Sequence, residues 1–234
     1  PRVAGTVAAF GVTQALQGLP ALPAVADELC DIVAGPVLGL DAASAPGSCG
    51  PGGAGRGPLA GRGWLNGHFS EAALAAAAQG AAPGQLLHIG THFVLRPGQV
   101  SASWLLLGDG QRLPLPRLRS LPLGRPGLVT LSACETAVSD SGNGREVDGL
   151  AATLLDNGAQ QVLASLWRVD DRATARFMQR FYAAYARQRG DAPAALQAAQ
   201  RAAWAEGAPA RHWAAFVLMG QNPWQGPGRR PSPR

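Results

Sequence analysis

The chain has 234 residues and a formal net charge of +5, from 20 basic and 15 acidic side chains. Every basic residue is an arginine. Without lysine there can be no P-loop of the usual kind and no Schiff-base chemistry, because both need an amine. The arginines are scattered, and no basic stripe interleaved with aromatics marks a nucleic-acid surface. A hydrophobic fraction of 47% is enough for a sizeable core.

Cys30, Cys49 and Cys134 are an odd set without CxxC spacing. They suggest neither a disulfide framework nor a zinc site, and they fit a reducing, cytoplasmic setting. The apolar runs are too short for a membrane helix. The chain begins at Pro1 rather than Met, which fits a piece of a longer protein.

In chain order, "VAAFGVT" near the start reads as a strand. A helix is expected over 24–33, with Val25, Leu29 and Ile32 at helical spacing and Cys30 as a small buried hydrophobe. Residues 46–63, "PGSCGPGGAGRGPLAGRG", read as a flexible Gly/Pro-rich loop carrying an exposed Cys49. Its GxGxxG match lacks the strand and helix that a dinucleotide site needs. "SEAALAAAAQG" (70–80) is a helix with Ser70 as its N-cap and Gly80 as its stop. "QLLHIGTHFVL" (85–95) is a strand opening into a loop, and 103–110 a strand and turn with Asp109-Gly110 as the hairpin signal.

Strands are expected over 127–134 and 160–169, separated by a helix over 145–159 that Asn157-Gly158 closes. Long helices follow over 170–190 and 192–204, then a last strand over 213–220 and a disordered Pro/Arg-rich tail at 223–234. Strands that are apolar on both faces and alternate with helices argue for an α/β fold, a mostly parallel sheet flanked by helices on both faces. One domain over 1–222 accounts for the whole pattern.

In such sheets the working groups stand beyond the carboxyl ends of the strands. Three strand ends deliver polar residues: Thr91 and His92, Cys134 and Glu135, and Trp167 with Asp170 and Asp171. An imidazole near a thiol makes a base and nucleophile pair, because the thiol is mostly protonated at neutral pH and needs its proton removed. His92 precedes Cys134 by 42 residues. This His-first order is that of caspases, where the histidine lies about 50 residues upstream, and the reverse of papain-like enzymes. His88 shares the face of His92 at period 2 but lies mid-strand, where a satisfied core histidine is the plainer reading.

The segments "LLHIGTHF" (86–93), "LVTLSACET" (128–136), "EVDGLAATLLDNGAQQVLASLWRVDD" (146–171) and "HWAAFVLMG" (212–220) resemble the CHAT domain of the caspase and separase clan of cysteine peptidases. The resemblance implies a caspase-hemoglobinase-like fold and a cysteine endopeptidase with His92 and Cys134 as catalytic residues. It implies an oxyanion site at the backbone N–H groups of Phe93 and Cys134, with Phe93 standing where many members have glycine. Glu135, Trp167 and Asp171 are the corresponding candidates for substrate binding. Glu135 could equally cap a turn, and Asp171 could equally serve as an N-terminal helix carboxylate. No metal or organic cofactor is implied. The expected partners are a peptide or protein substrate and a regulatory, tetratricopeptide-like segment, with neither nucleic acid nor membrane. Two other readings share the same residues: a catalytically silent scaffold domain, and a small-molecule amidase or acyltransferase.

Overall fold

The structure is a computed structural model that describes residues 5–40, 47, 49–80, 84–96, 99–132 and 145–220. Cys134, Glu135 and the tail at 223–234 therefore lie outside the described residues.

The elements follow in chain order as β1 (Val7–Gly11), α1 (Ala24–Ile32), β2 (Val33–Leu38), β3 (Ala54–Arg56), β4 (Leu59–Leu65) and α2 (Glu71–Gln79). Next come β5 (Leu86–Gly90), β6 (Phe93–Val94), β7 (Trp104–Leu106), β8 (Arg112–Pro114), α3 (Leu115–Ser120), β9 (Leu128–Leu131) and α4 (Arg145–Asp156). The remainder is β10 (Gln161–Ser165), α5 (Asp171–Arg187), α6 (Ala192–Ala205), α7 (Ala210–Trp213) and β11 (Phe216–Gly220).

Eight strands form one sheet in the order β11-β10-β9-β5-β1-β4-β2-β3. The six inner strands are parallel, and only the edges β11 and β3 run antiparallel. The inner strands β1, β5, β9 and β10 are buried along their whole length, as strands covered on both faces must be. Two apolar clusters result. One face carries Phe69, Leu74, Leu118, Leu150 and Leu154 from α2, α3, α4 and the segment before α2. The other carries Leu29, Phe177, Phe181 and Tyr182 from α1 and α5. Phe177 stacks on Phe216 with ring centroids 4.0 Å apart, which fastens α5 to the edge strand β11.

Local signals end the helices where the sequence marks them. Ser70 Oγ accepts the Ala73 N–H at 3.2 Å, Asp170 caps α5 through Ala173 N–H at 3.0 Å, and Asp191 caps α6 through Ala194 N–H at 3.0 Å. Gly158, at φ +102°, turns the chain after α4.

Two expectations need correction. Residues 54–56 and 59–63 of the expected loop belong to β3 and β4, strands of the main sheet. Their glycines read as loop residues, but they serve close approach of neighbouring strands: a Cβ at Gly61 would run into the Val7 carbonyl oxygen, and one at Gly55 into that of Val33. Cys30 and Cys49 are also not independent thiols. They form a disulfide, with Cα atoms 5.2 Å apart, between α1 and the segment leading to β3. Nineteen residues separate them, and no sequence spacing announced the pairing.

A second, three-stranded antiparallel sheet, β6-β7-β8, follows the end of β5. Gly110, at φ +83°, forms the β7–β8 turn, where Asp109 Oδ1 accepts the Gln111 N–H at 3.0 Å. Among the described residues no helix is long and apolar enough to cross a membrane.

Candidate active site

The carboxyl ends of the parallel strands open onto one cavity of about 290 Å³. The segment from Pro20 to Glu28, after β1, forms one wall; His92 comes from the end of β5 and Ser132 from the end of β9. Ser165 comes from β10, and Asp170, Asp171 and Thr174 from the start of α5. The sheet geometry thus gathers polar groups from four strand ends, as open α/β sheets do.

His92 is held from both sides. Its carbonyl accepts the Leu106 N–H at 3.0 Å, and the preceding Thr91 Oγ1 donates to Leu106 O at 2.9 Å, so β7 fixes the backbone. The imidazole Nε2 lies 2.8 Å from the Pro20 carbonyl oxygen. A carbonyl can only accept, so Nε2 carries the hydrogen, and in the neutral ring Nδ1 keeps the lone pair. Sequence reasoning found no group to orient His92. The orienting group is a main-chain carbonyl, which has no side-chain signature.

β5 and β9 are direct parallel neighbours, with His88 opposite Thr130 and Ile89 opposite Leu131. The Ser132 N–H continues the ladder to Ile89 O at 3.0 Å. Phe93 lies opposite Leu105 in β6–β7, in a pair whose hydrogen bond runs through the His92 carbonyl. In such a pair the residue's own N–H points away from its partner. The Phe93 ring is buried in the core cluster and does not line the cavity. The bulk that sets it apart from glycine is therefore directed into packing.

Asp171 lines the cavity, and it also ties helices together: its Oδ2 accepts the Ala24 N–H at the start of α1 at 2.8 Å. Burial pushes its carboxyl up to about 6; the Ala24 hydrogen bond opposes the rise, and the Glu28 and Asp170 charges add to it. Trp167 stands apart from this cavity. It is 39% exposed, and its Nε1–H donates to the Arg211 carbonyl at 2.9 Å.

One residue escaped sequence reasoning. Glu28, on α1, is 1% exposed and lines the cavity. Its Oε1 lies 2.8 Å from His88 Nε2, close enough for an ion pair. Glu28 Oε2 has no hydrogen-bond partner among the described residues. Behind it, His88 Nδ1 lies 3.1 Å from the Tyr182 hydroxyl, which donates to Thr130 Oγ1 at 2.8 Å. Burial drives the Tyr182 phenol far above its usual range, so it stays a protonated donor. The signal for Glu28 was present in the sequence. It falls three residues after Val25 and four before Ile32, on the apolar stripe of α1, where a carboxylate needs a reason. His88, the mid-strand histidine, is fully buried and belongs to this network rather than to the cavity wall.

Among the described residues no group of three or more His, Cys, Asp or Glu side chains could hold a metal ion.

Compared with known proteins, residues 3–221 match a family model described as CHAT domain. No curated protein matches the chain.

Proposed function

Because the chain belongs to the CHAT domain family, a caspase-like family of cysteine peptidases, we propose that it is a cysteine endopeptidase working through His92 and Cys134. The observation that carries this reading is the pairing of β5 with β9. One strand leads into His92, which lines the cavity, and the other into Ser132, which Cys134 follows by two residues in the sequence.

His92 is the general base. With Nε2–H held by the Pro20 carbonyl, Nδ1 takes the Cys134 proton. The thiolate attacks the scissile carbonyl, and the backbone N–H groups of Phe93 and Cys134 stabilise the resulting oxyanion. Losing one such donor costs about 3 kcal/mol of barrier lowering. His92 then protonates the leaving amine, and water hydrolyses the thioester. Glu135, Trp167 and Asp171 are the proposed substrate contacts; of the two that the structure describes, Asp171 lines the cavity. Regulation by a tetratricopeptide-like segment of a longer chain, or by a partner, belongs to the same reading, as does a cytoplasmic setting. Disulfides are rare in reducing cytosol, so there Cys30 and Cys49 would stand as thiols within closing distance, an arrangement that alkylation in intact cells followed by mass spectrometry reads directly.

In the oxidised protein, alkylation reports on Cys134 alone, since the other two cysteines are bonded. The rate of iodoacetamide labelling against pH should give a thiol pKa well below the usual value of about 8.5, and His92→Ala should return it towards that value. A peptide-library digest should show cleavage that Cys134→Ala abolishes. An ordinary thiol pKa together with no cleavage leaves the silent scaffold. A low pKa with turnover of small amides only leaves the amidase.

A further inference from the structure

We infer that Gln17, at the tip of the loop between β1 and α1, is a positioning residue that sets the imidazole of His92 by clipping this loop to the β7–β8 hairpin. That the clip serves catalysis rests on the proposed role of His92 as general base.

The loop is a small hairpin of its own. Thr13 anchors its base, donating its N–H and its hydroxyl to Asn66 Oδ1 at 2.9 and 3.0 Å. The Leu22 N–H donates to Thr13 O at 3.1 Å, and the Leu19 N–H to Leu16 O at 2.9 Å. Between Leu16 and Leu19 the chain turns with φ +55° at Gln17 and +77° at Gly18. Two positive φ angles in succession make the tight hairpin turn whose first position favours asparagine, aspartate or glycine. Glutamine gains nothing from that backbone; what it adds is a longer side chain.

That side chain reaches the neighbouring hairpin. Gln17 Nε2–H donates to the Gly110 carbonyl at 2.9 Å, and Gln17 Oε1 accepts from Arg112 Nη2 at 3.1 Å. A carbonyl only accepts and a guanidinium only donates, so the amide fits in one orientation. Arg112 is itself steadied by Trp104, its guanidinium carbon standing 4.5 Å from the ring centroid.

The clip closes a ring of contacts around His92. Arg112 lies opposite Leu106 in the β7–β8 pair, and the Leu106 N–H holds the His92 carbonyl. Three residues after Gln17, the Pro20 carbonyl holds His92 Nε2. The backbone and the imidazole of His92 are thus fixed to the same hairpin, one directly and the other through Gln17. Both Gln17 bonds are exposed, where water competes and the gain in stability is small. Their effect is on geometry. A loop free to lift at its tip would carry the Pro20 carbonyl away from Nε2 and admit the other tautomer. That tautomer has its hydrogen on Nδ1, the nitrogen proposed to take the Cys134 proton.

The test compares ¹⁵N-labelled wild-type chain with Gln17→Gly and Gln17→Asn. Both residues suit the turn, so the variants should fold; glycine has no side chain and asparagine is one methylene short of the hairpin. The ring-nitrogen shifts of His92 in alkaline buffer, assigned with His92→Gln, report its tautomer. The ratio of Nε2–H to Nδ1–H forms should fall about fivefold in both variants. The ring of His88, braced by Glu28 and Tyr182, is the internal control and should stay as it is. A His92 ratio unchanged from the wild type, or a change that His88 shares equally, would overturn the inference. In peptide cleavage, kcat should fall about tenfold in both variants at constant KM. Digestion also separates this inference from the function it rests on. A fallen His92 ratio in a chain whose wild type cleaves no peptide sinks the peptidase reading alone. Cys134-dependent cleavage with the same kcat in wild type and Gln17→Gly, and His92 signals unmoved, sinks this inference alone.

Discussion

At the scale of the residue, two buried groups give sharp expectations. Asp171 has a folded pKa of about 6 against an ordinary value of 3.8. The fold therefore favours its protonated form. Below pH 4 the group is protonated in both states and makes no difference. Between about pH 4 and pH 6 the unfolded chain ionises while the folded one holds its proton, so stability falls across that window, by roughly 1 kcal/mol once solvent screening is allowed for. Urea denaturation from pH 4 to pH 7 should show this loss in the wild type and not in Asp171→Asn, and a carboxyl NMR titration should give the midpoint directly. Tyr182 bridges His88 and Thr130. Tyr182→Phe keeps the ring and strands two buried polar groups, so it should cost about 1–3 kcal/mol by urea denaturation. That His92 stands at a strand end, where it lines the cavity, was legible at this scale, because the apolar run before it marks the strand. Glu28 went unread because its neighbours Val25, Leu29 and Ile32 made the helix pattern look complete.

At the scale of the element, the long helices and inner strands follow from sequence pattern, and their ends from caps. Ser70→Ala should cost about 1 kcal/mol, because it removes the acceptor for the Ala73 N–H and touches nothing at the cavity. Thermal denaturation would read it. The glycine-rich stretch before α2 behaves otherwise. Read locally, "GGAGRGPLAGRG" has too little side chain to look like a sheet. Gly61 is there because β1 comes too close for a Cβ. Gly61→Ala should accordingly destabilise by about 2 kcal/mol or more, far beyond the cost of the same change at an open position such as Gly67, where an added Cβ meets nothing within 4 Å. Turn chemistry was more transparent: Asp109-Gly110 and Asn157-Gly158 mark chain reversals that the backbone makes.

At the scale of the whole molecule, the disulfide and the order of strands are the features the linear pattern did not convey. Closing a loop of about 20 residues should contribute about 3 kcal/mol by restricting the unfolded chain. Urea denaturation with and without a reductant, repeated on a Cys30→Ser/Cys49→Ser variant, should show a loss of that size on reduction and none in the variant. The alternation of apolar strands with helices determined by itself that this is an α/β chain, because periodicity is a local property written along the chain, and the segments around His92, Cys134 and Trp167 carried its resemblance to the CHAT domain. Only the tertiary structure decided that β1 sits between β4 and β5, that Pro20 orients His92, and that Glu28, Asp171 and Ser132 share one cavity. Each of these depends on which strand ends become neighbours, and neighbourhood in a crossover sheet is set by how the layers pack.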